Sequence, residues 1–323
     1  MYNRRFLSAL ALTGLVLAAC NVKTSSTTTT TTTGGASPGA ATKTIGVSIQ
    51  NREAQFYQDM ENGMKTEASK YGYNLIFVDA NRDNSKQQSQ VEDFISKKVD
   101  AIVLTPYDSQ AIGSAIAEAN KANIPVFTAD IANASKQGKV VAHIASDNVQ
   151  GGSQAGKLMC QGLMGGGKTA VGTIAIIDEP EVTSVQDRVK GFRQGIAANC
   201  KGVTIVQDSD AGGDRQKANS TMSDILQSHK DLKGVFGIND DSALGAVTAI
   251  KTAGAKGLIV VGYDASPEAQ KAIKAGDMYG DAIQYPDQIG SKTIGAIHDF
   301  FSGKTPPARV SVNVGTFTKA SAK

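Results

Sequence analysis

Asp130, Asp264, Arg188, Asn239 and Gln284 are the side chains of this 323-residue chain best suited to holding a small polar molecule, and Phe56 and Tyr57, with Asn51 just before them, add aromatic surface. Carboxylates and a guanidinium make strong, often paired hydrogen bonds to neighbouring hydroxyls. Carboxamides donate and accept, and flat rings give apolar contact at fixed geometry. The combination suits a molecule with vicinal hydroxyls and an apolar C–H face, which is the surface of a sugar.

The same residues contain no nucleophile, base and orienter that could act together, so no catalytic residue is assigned and an enzyme is not expected. His143, His229 and His298 are far apart and lack metal-ligand spacing. His143 falls in an apolar run and reads as a structural histidine. Asp240-Asp241 could suggest a cation site, but two acids at a helix start read first as caps. No metal and no cofactor is expected. Gly162-Leu163-Met164-Gly165-Gly166-Gly167-Lys168-Thr169 satisfies the pattern of a phosphate-binding loop. That loop must follow a strand and open a helix. Here a helical stretch precedes it and a strand follows, so the glycines read as a helix end and a turn.

What could bring such scattered residues together is a repeated α/β pattern. Short β-branched runs at Thr44–Ile49, Asn74–Val78, Ala101–Leu104, Pro125–Thr128 and Val140–Ile144 alternate with helical stretches such as Tyr57–Tyr71 and Ser109–Ala122. The alternation restarts at Val171–Ile177, Thr204–Gln207, Gly234–Gly237, Leu258–Val261 and Met278–Ile283. This predicts an α/β fold of two doubly wound parallel-sheet lobes. Ligands of such sheets bind outside the carboxyl ends of the strands, where the strand order reverses. Each polar residue named above follows a strand or opens the next helix, so facing lobes would gather them in one cleft.

The chain opens with Arg4 and Arg5, an apolar run from Phe6 to Leu17, and Leu17-Ala18-Ala19-Cys20. These are the parts of an export signal over residues 1–19, with an apolar run too short for a membrane span. Cys20 directly after small residues resembles a bacterial lipobox, which implies lipidation there. Residues 20–43, rich in Thr, Ser and Gly, read as a flexible linker. Removing Arg4 and Arg5 with the leader brings the formal charge of +3 nearer to neutral, and no basic stripe supports nucleic-acid binding. The expected location is extracytoplasmic, anchored by lipid to a bacterial membrane. In that oxidising setting Cys160 and Cys200, each near the end of a helical stretch, are expected to pair.

Tyr71-Gly72-Tyr73-Asn74-Leu75, Ala122-Asn123-Ile124-Pro125-Val126, His143-Ile144-Ala145-Ser146-Asp147-Asn148, Ala253-Gly254-Ala255, Val261-Gly262-Tyr263-Asp264 and Pro286-Asp287-Gln288-Ile289-Gly290 occur in order along the body. In these segments the chain resembles the ribose and galactose type of periplasmic binding proteins, the substrate receptors of ATP-binding-cassette sugar importers. The resemblance implies a type I periplasmic binding fold with a multi-crossover hinge, residues 44–146 plus 285–313 forming one lobe and 147–284 plus 314–323 the other. It also implies that Phe56 and Tyr57 stack on the sugar and that Asp130, Arg188, Asn239, Asp264 and Gln284 bond to it; Asn51, which follows the first strand, is a further candidate contact from the strand-end reading alone. The chain departs from the ribose-binding pattern at Ile131, where an Arg is usual, at Gly213, where an aromatic is usual, and at Ala54, where an Asn is usual. A different pentose, a hexose or a polyol is therefore expected. The implied partners are that ligand and a membrane permease, with the protein acting as a monomer. A receptor presenting its ligand to a chemotaxis or membrane sensor system would carry the same features.

Overall fold

The computed structural model describes residues 42–321. The leader, Cys20 and most of the linker lie outside the described residues. The chain begins β1 (Thr44–Ile49), α1 (Gln55–Tyr71), β2 (Asn74–Asp79), α2 (Asn84–Ser96), β3 (Ala101–Thr105), α3 (Gly113–Lys121), β4 (Val126–Ala129) and β5 (Val140–Ser146). It continues through α4 (Asn148–Met164), β6 (Val171–Asp178), α5 (Thr183–Asn199), β7 (Gly202–Asp210), α6 (Arg215–Ser228), β8 (Leu232–Gly237) and α7 (Asp240–Thr252). It ends with β9 (Ile259–Asp264), α8 (Pro267–Ala275), β10 (Gly280–Ile283), α9 (Pro286–Phe301), β11 (Arg309–Val312) and β12 (Gly315–Thr318).

The described strands form two six-stranded sheets, in the orders β2-β1-β3-β4-β5-β11 and β7-β6-β8-β9-β10-β12. Central strands such as β1 and β3 are mostly apolar and almost wholly buried, as expected where helices cover both faces of a parallel sheet. Ile45, Val47 and Ile49 pack with Met60, Met64 and Ile294 on one face of the first sheet, while Ile102 and Leu104 pack with Phe94 and Ile116 on the other. The second sheet is covered in the same way, by α4 and α5 on one face and α6 and α7 on the other.

Two features differ from the sequence reading. β11 and β12 were not anticipated, and β12 runs antiparallel to β10, so the second sheet is mixed at its edge. Only Asn313 and Val314 separate these two strands, too few residues for a helical crossover, so β11 joins the first sheet and β12 the second. The chain also passes between the sheets after β5 and after β10.

The helix pair that carries part of the site is packed unusually closely. A Cβ on Gly152 of α4 would collide with the Arg188 carbonyl, and one on Gly191 of α5 would collide with the Val149 carbonyl. These glycines let α4 and α5 touch backbone to backbone. Further along the same pair, Cys160 and Cys200 are disulfide-bonded, with their Cα atoms 5.7 Å apart. Gly165 ends α4 in the left-handed conformation, and the Gly162–Thr169 segment leads from a helix into β6. That is the reverse of the order a phosphate loop needs. Among the described residues, no helix is long and apolar enough to cross a membrane.

Candidate functional site

In the first sheet the order reverses between β1 and β3, and in the second between β6 and β8. The loops leaving adjacent strands there go to opposite faces and open a crevice at the carboxyl ends. One cleft of about 1070 Å³ lies between the two sets of strand ends. Asn51, Phe56, Tyr57, Asp130, Arg188, Asn239, Asp264 and Gln284 all line it, as do Ala54, Ile131 and Gly213.

From the first lobe, Asp130 follows β4 with φ of 64°. A positive φ strains a residue with a side chain and marks a position the surrounding structure enforces. The Tyr57 hydroxyl donates to Asp130 Oδ2 at 3.2 Å and accepts from Gln50 Nε2 at 2.5 Å. Asp130 Oδ1 is buried with no partner, and burial raises the carboxyl to a pKa of about 6. The two rings expected to stack on a sugar are not placed alike. Tyr57 is buried and meets Phe56 edge to face, with ring centres 5.1 Å apart. The Tyr57 hydroxyl is thus held between Gln50 and Asp130, and Phe56 is the more exposed ring. Asn51 turns inward, its Oδ1 accepting from the Glu53 N–H at 3.0 Å.

From the second lobe, Arg188 projects from α5 but is only 4% exposed. Its Nε and Nη2 donate to Asn148 Oδ1 at 3.2 and 3.0 Å, its Nη1 donates to the Ile238 carbonyl, and its guanidinium lies 3.8 Å from the Tyr263 ring centre. The charge is thus fixed from several sides before any ligand arrives. Asp264, at the end of β9 with φ of 117°, accepts from Gln284 Nε2 at 2.7 Å. Burial, then the neighbouring Asp240, holds its carboxyl well above the usual range. Gln284 Oε1 has no partner.

The reading of Asp240 and Asp241 as caps is corrected by the structure. Asn239 caps α7, its Oδ1 accepting from the Ser242 N–H at 2.8 Å, while its Nδ2 donates to the Gly213 carbonyl at 3.1 Å. Asp240 is buried, accepts from the Ser266 N–H at 2.7 Å and lies against the fully buried Asp281. Asp241 instead pairs with Arg215 at 2.9 Å. A polar side chain one residue earlier took the cap, which freed the acids for other contacts.

Sequence reasoning passed over Glu179 and Arg82. Glu179 follows directly on β6, the same strand-end position that selected the other residues, and burial raises its carboxyl to a pKa of about 7. Arg82, beyond β2, reaches from the first lobe to donate to the carbonyls of Gly212 and Gly213 in the second. Nothing in the local sequence marks that contact, because its partners are backbone atoms far along the chain.

Residues 45–305 match the model of a family described as a periplasmic binding protein domain. The chain is 34% identical over 279 residues to the ribose import binding protein RbsB of Escherichia coli K12, covering 86% of this chain and 92% of that protein. It is 30% identical over 280 residues to a xylitol-binding protein of Mycolicibacterium smegmatis, covering 86% of this chain and 74% of the relative. The solved structure of a Caulobacter myo-inositol binding protein with myo-inositol bound superposes with a TM-score of 0.80 at 27% identity, covering 89% of this chain and 97% of that one.

Proposed function

The chain belongs to the family of periplasmic binding proteins, and from that premise we propose that it captures a small sugar or polyol between its lobes outside the cytoplasm and delivers it to an ATP-binding-cassette importer. The observation that carries this reading is the convergence, in one cleft, of strand-end side chains from both sheets beside the Phe56 ring. Asp130 Oδ1 and Gln284 Oε1 wait there as buried acceptors without partners. A buried acceptor is costly to leave unpaired, and a ligand rich in hydroxyls supplies the missing donors. Relatives bind ribose, xylitol and myo-inositol, which sets the range of ligand size.

Contacts from both lobes make a bound ligand favour closure, because it binds the closed form better than the open one. The crossings near Ser146, Gln284 and Val314 act as the hinge, and they divide residues 44–146 plus 285–313 from residues 147–284 plus 314–323. Lipidation at Cys20 ties the protein to a membrane, with the Thr-rich linker leaving the body free to reach a permease. The protein works as a monomer and carries out no chemistry on its ligand.

A thermal-shift screen of pentoses, hexoses and polyols tests the assignment, since a ligand that binds only the folded state raises the melting temperature by mass action. A rise with at least one member is expected. No shift with any of them overturns the reading.

A further inference from the structure

Where an aromatic wall is usual in ribose receptors, the second lobe presents Gly213, and the space beside it is occupied. A Cβ placed on Gly213 would lie 2.5 Å from Glu179 Oε2 and 3.0 Å from Asn239 Nδ2. Gly213 also holds φ of 60°, a conformation in which side chains are strained. The missing ring and the carboxyl are therefore one arrangement: the bare backbone makes room for Glu179. Arg82 keeps that loop in place through the Gly212 and Gly213 carbonyls.

Glu179 is only 4% exposed, lines the cleft, and leaves Oε1 without a partner. Other unpartnered buried side-chain atoms of the lining, apart from Asp240 beside Asp281, are Gln50 Oε1, Asp130 Oδ1 and Gln284 Oε1. All of them are oxygens. Several donors nearby are already engaged, with Gln284 Nε2 on Asp264, the Tyr57 hydroxyl on Asp130, and Arg188 on Asn148 and Ile238. A ligand must therefore bring donors to this wall.

We propose that Glu179 is a specificity-determining ligand contact, its carboxyl accepting a hydrogen bond from a hydroxyl that the ligand directs at the Gly213 loop. The site then selects sugars or polyols that place a hydroxyl there over isomers that present a bare C–H face. This deepens the sugar-binding reading and rests on it. A site built to bond a hydroxyl rejects the isomer that lacks it strongly, because its own polar group is then left unpaired.

The test uses D-ribose against D-xylose, D-allose against D-glucose, and myo-inositol against scyllo-inositol, pairs that differ in the direction of one hydroxyl. Affinities are measured by calorimetry for the wild type, Glu179→Gln and Glu179→Leu. The wild type is expected to separate at least one pair by about tenfold or more, and Glu179→Leu to reduce that ratio to about threefold or less by weakening the preferred member, with Glu179→Gln retaining more of it. Unliganded Glu179→Leu should melt at or above the wild-type temperature, since it removes an unpaired buried acceptor. A ratio unchanged in both variants, or a Glu179→Leu protein that melts well below the wild type, overturns the proposal while leaving sugar binding intact. A wild type that binds none of the six overturns both readings.

Discussion

Asp130 and Asp264 hold matching places in the two lobes: each stands at the carboxyl end of the fourth strand of its lobe in chain order, with a positive φ, and each turns its carboxyl into the same cleft. Their backbone conformation costs energy that a structural role alone gives no reason to accept at both positions. Asp264→Ala is expected to weaken binding of the best sugar from the thermal screen at least about tenfold, or about 1.4 kcal/mol. Titration calorimetry measures it, and wild-type affinity would remove Asp264 from the site.

Arg188→Ala has a different expected outcome, because its guanidinium bonds to Asn148 and Ile238 and stacks on Tyr263 inside the lobe. Charged buried hydrogen bonds contribute on the order of 1.5 to 3 kcal/mol. The variant should lose ligand affinity and also show a lower midpoint in urea unfolding. A loss of affinity with unchanged stability would mean that these internal contacts contribute nothing to the fold.

Arg82 bridges the lobes only while they are close, through the Gly212 and Gly213 carbonyls. Arg82→Ala should therefore speed ligand release more than it slows capture, weakening affinity by about three- to tenfold, since most affinity differences between related complexes lie in the off-rate. Stopped-flow fluorescence would show this. Small-angle scattering should show the wild type contracting when ligand is added.

Asp240 and Asp281 lie side by side with both Asp281 oxygens and Asp240 Oδ1 lacking donors, so a proton shared between the two carboxyls supplies the missing bond. Burial raises Asp240 to a pKa of about 6, and burial followed by Asp240 itself holds Asp281 well above the ordinary range. A raised carboxyl contributes stability below its unfolded pKa and loses it as pH rises through the folded one. Burial lowers His143 to a pKa of about 4, so it acts in the opposite sense only below the normal histidine value. Relative to Asp281→Asn, the wild-type melting temperature should thus fall as pH rises from about 4 through about 6. Parallel curves for the two proteins would remove the shared proton.

The Cys160–Cys200 bond closes a loop across a sequence separation of 40 and ties the end of α4 to the end of α5. Replacing both with Ser should cost about 2–4 kcal/mol in denaturant unfolding. Thiol labelling of the unfolded, unreduced wild-type body should find neither Cys reactive.

Cys20→Ser should move the exported protein from the detergent phase to the aqueous phase. Recovery of the wild type wholly in the aqueous phase would remove the anchor.

The sequence by itself determined the repeating units. β-branched runs such as Thr44–Ile49 and the helical periodicity of Tyr57–Tyr71 are local properties, and so is the position of Asp130 or Asn239 at a strand end. The rule that ligands gather at those ends turned that list into one cleft. Only the tertiary structure decided the rest, because it depends on partners distant in the chain. Arg82 meets backbone atoms about 130 residues away. Tyr57 became a buried hydroxyl donor through Gln50 and Asp130. Asp240, at the start of α7, forms a buried carboxyl pair with Asp281 of β10 instead of capping the helix. β12 took its antiparallel place because a two-residue link is too short for the helical crossover that a parallel strand needs. Gly213 reads in sequence as the absence of an aromatic ring, and it is the packing of β6 beside that loop that put the Glu179 carboxyl in the space.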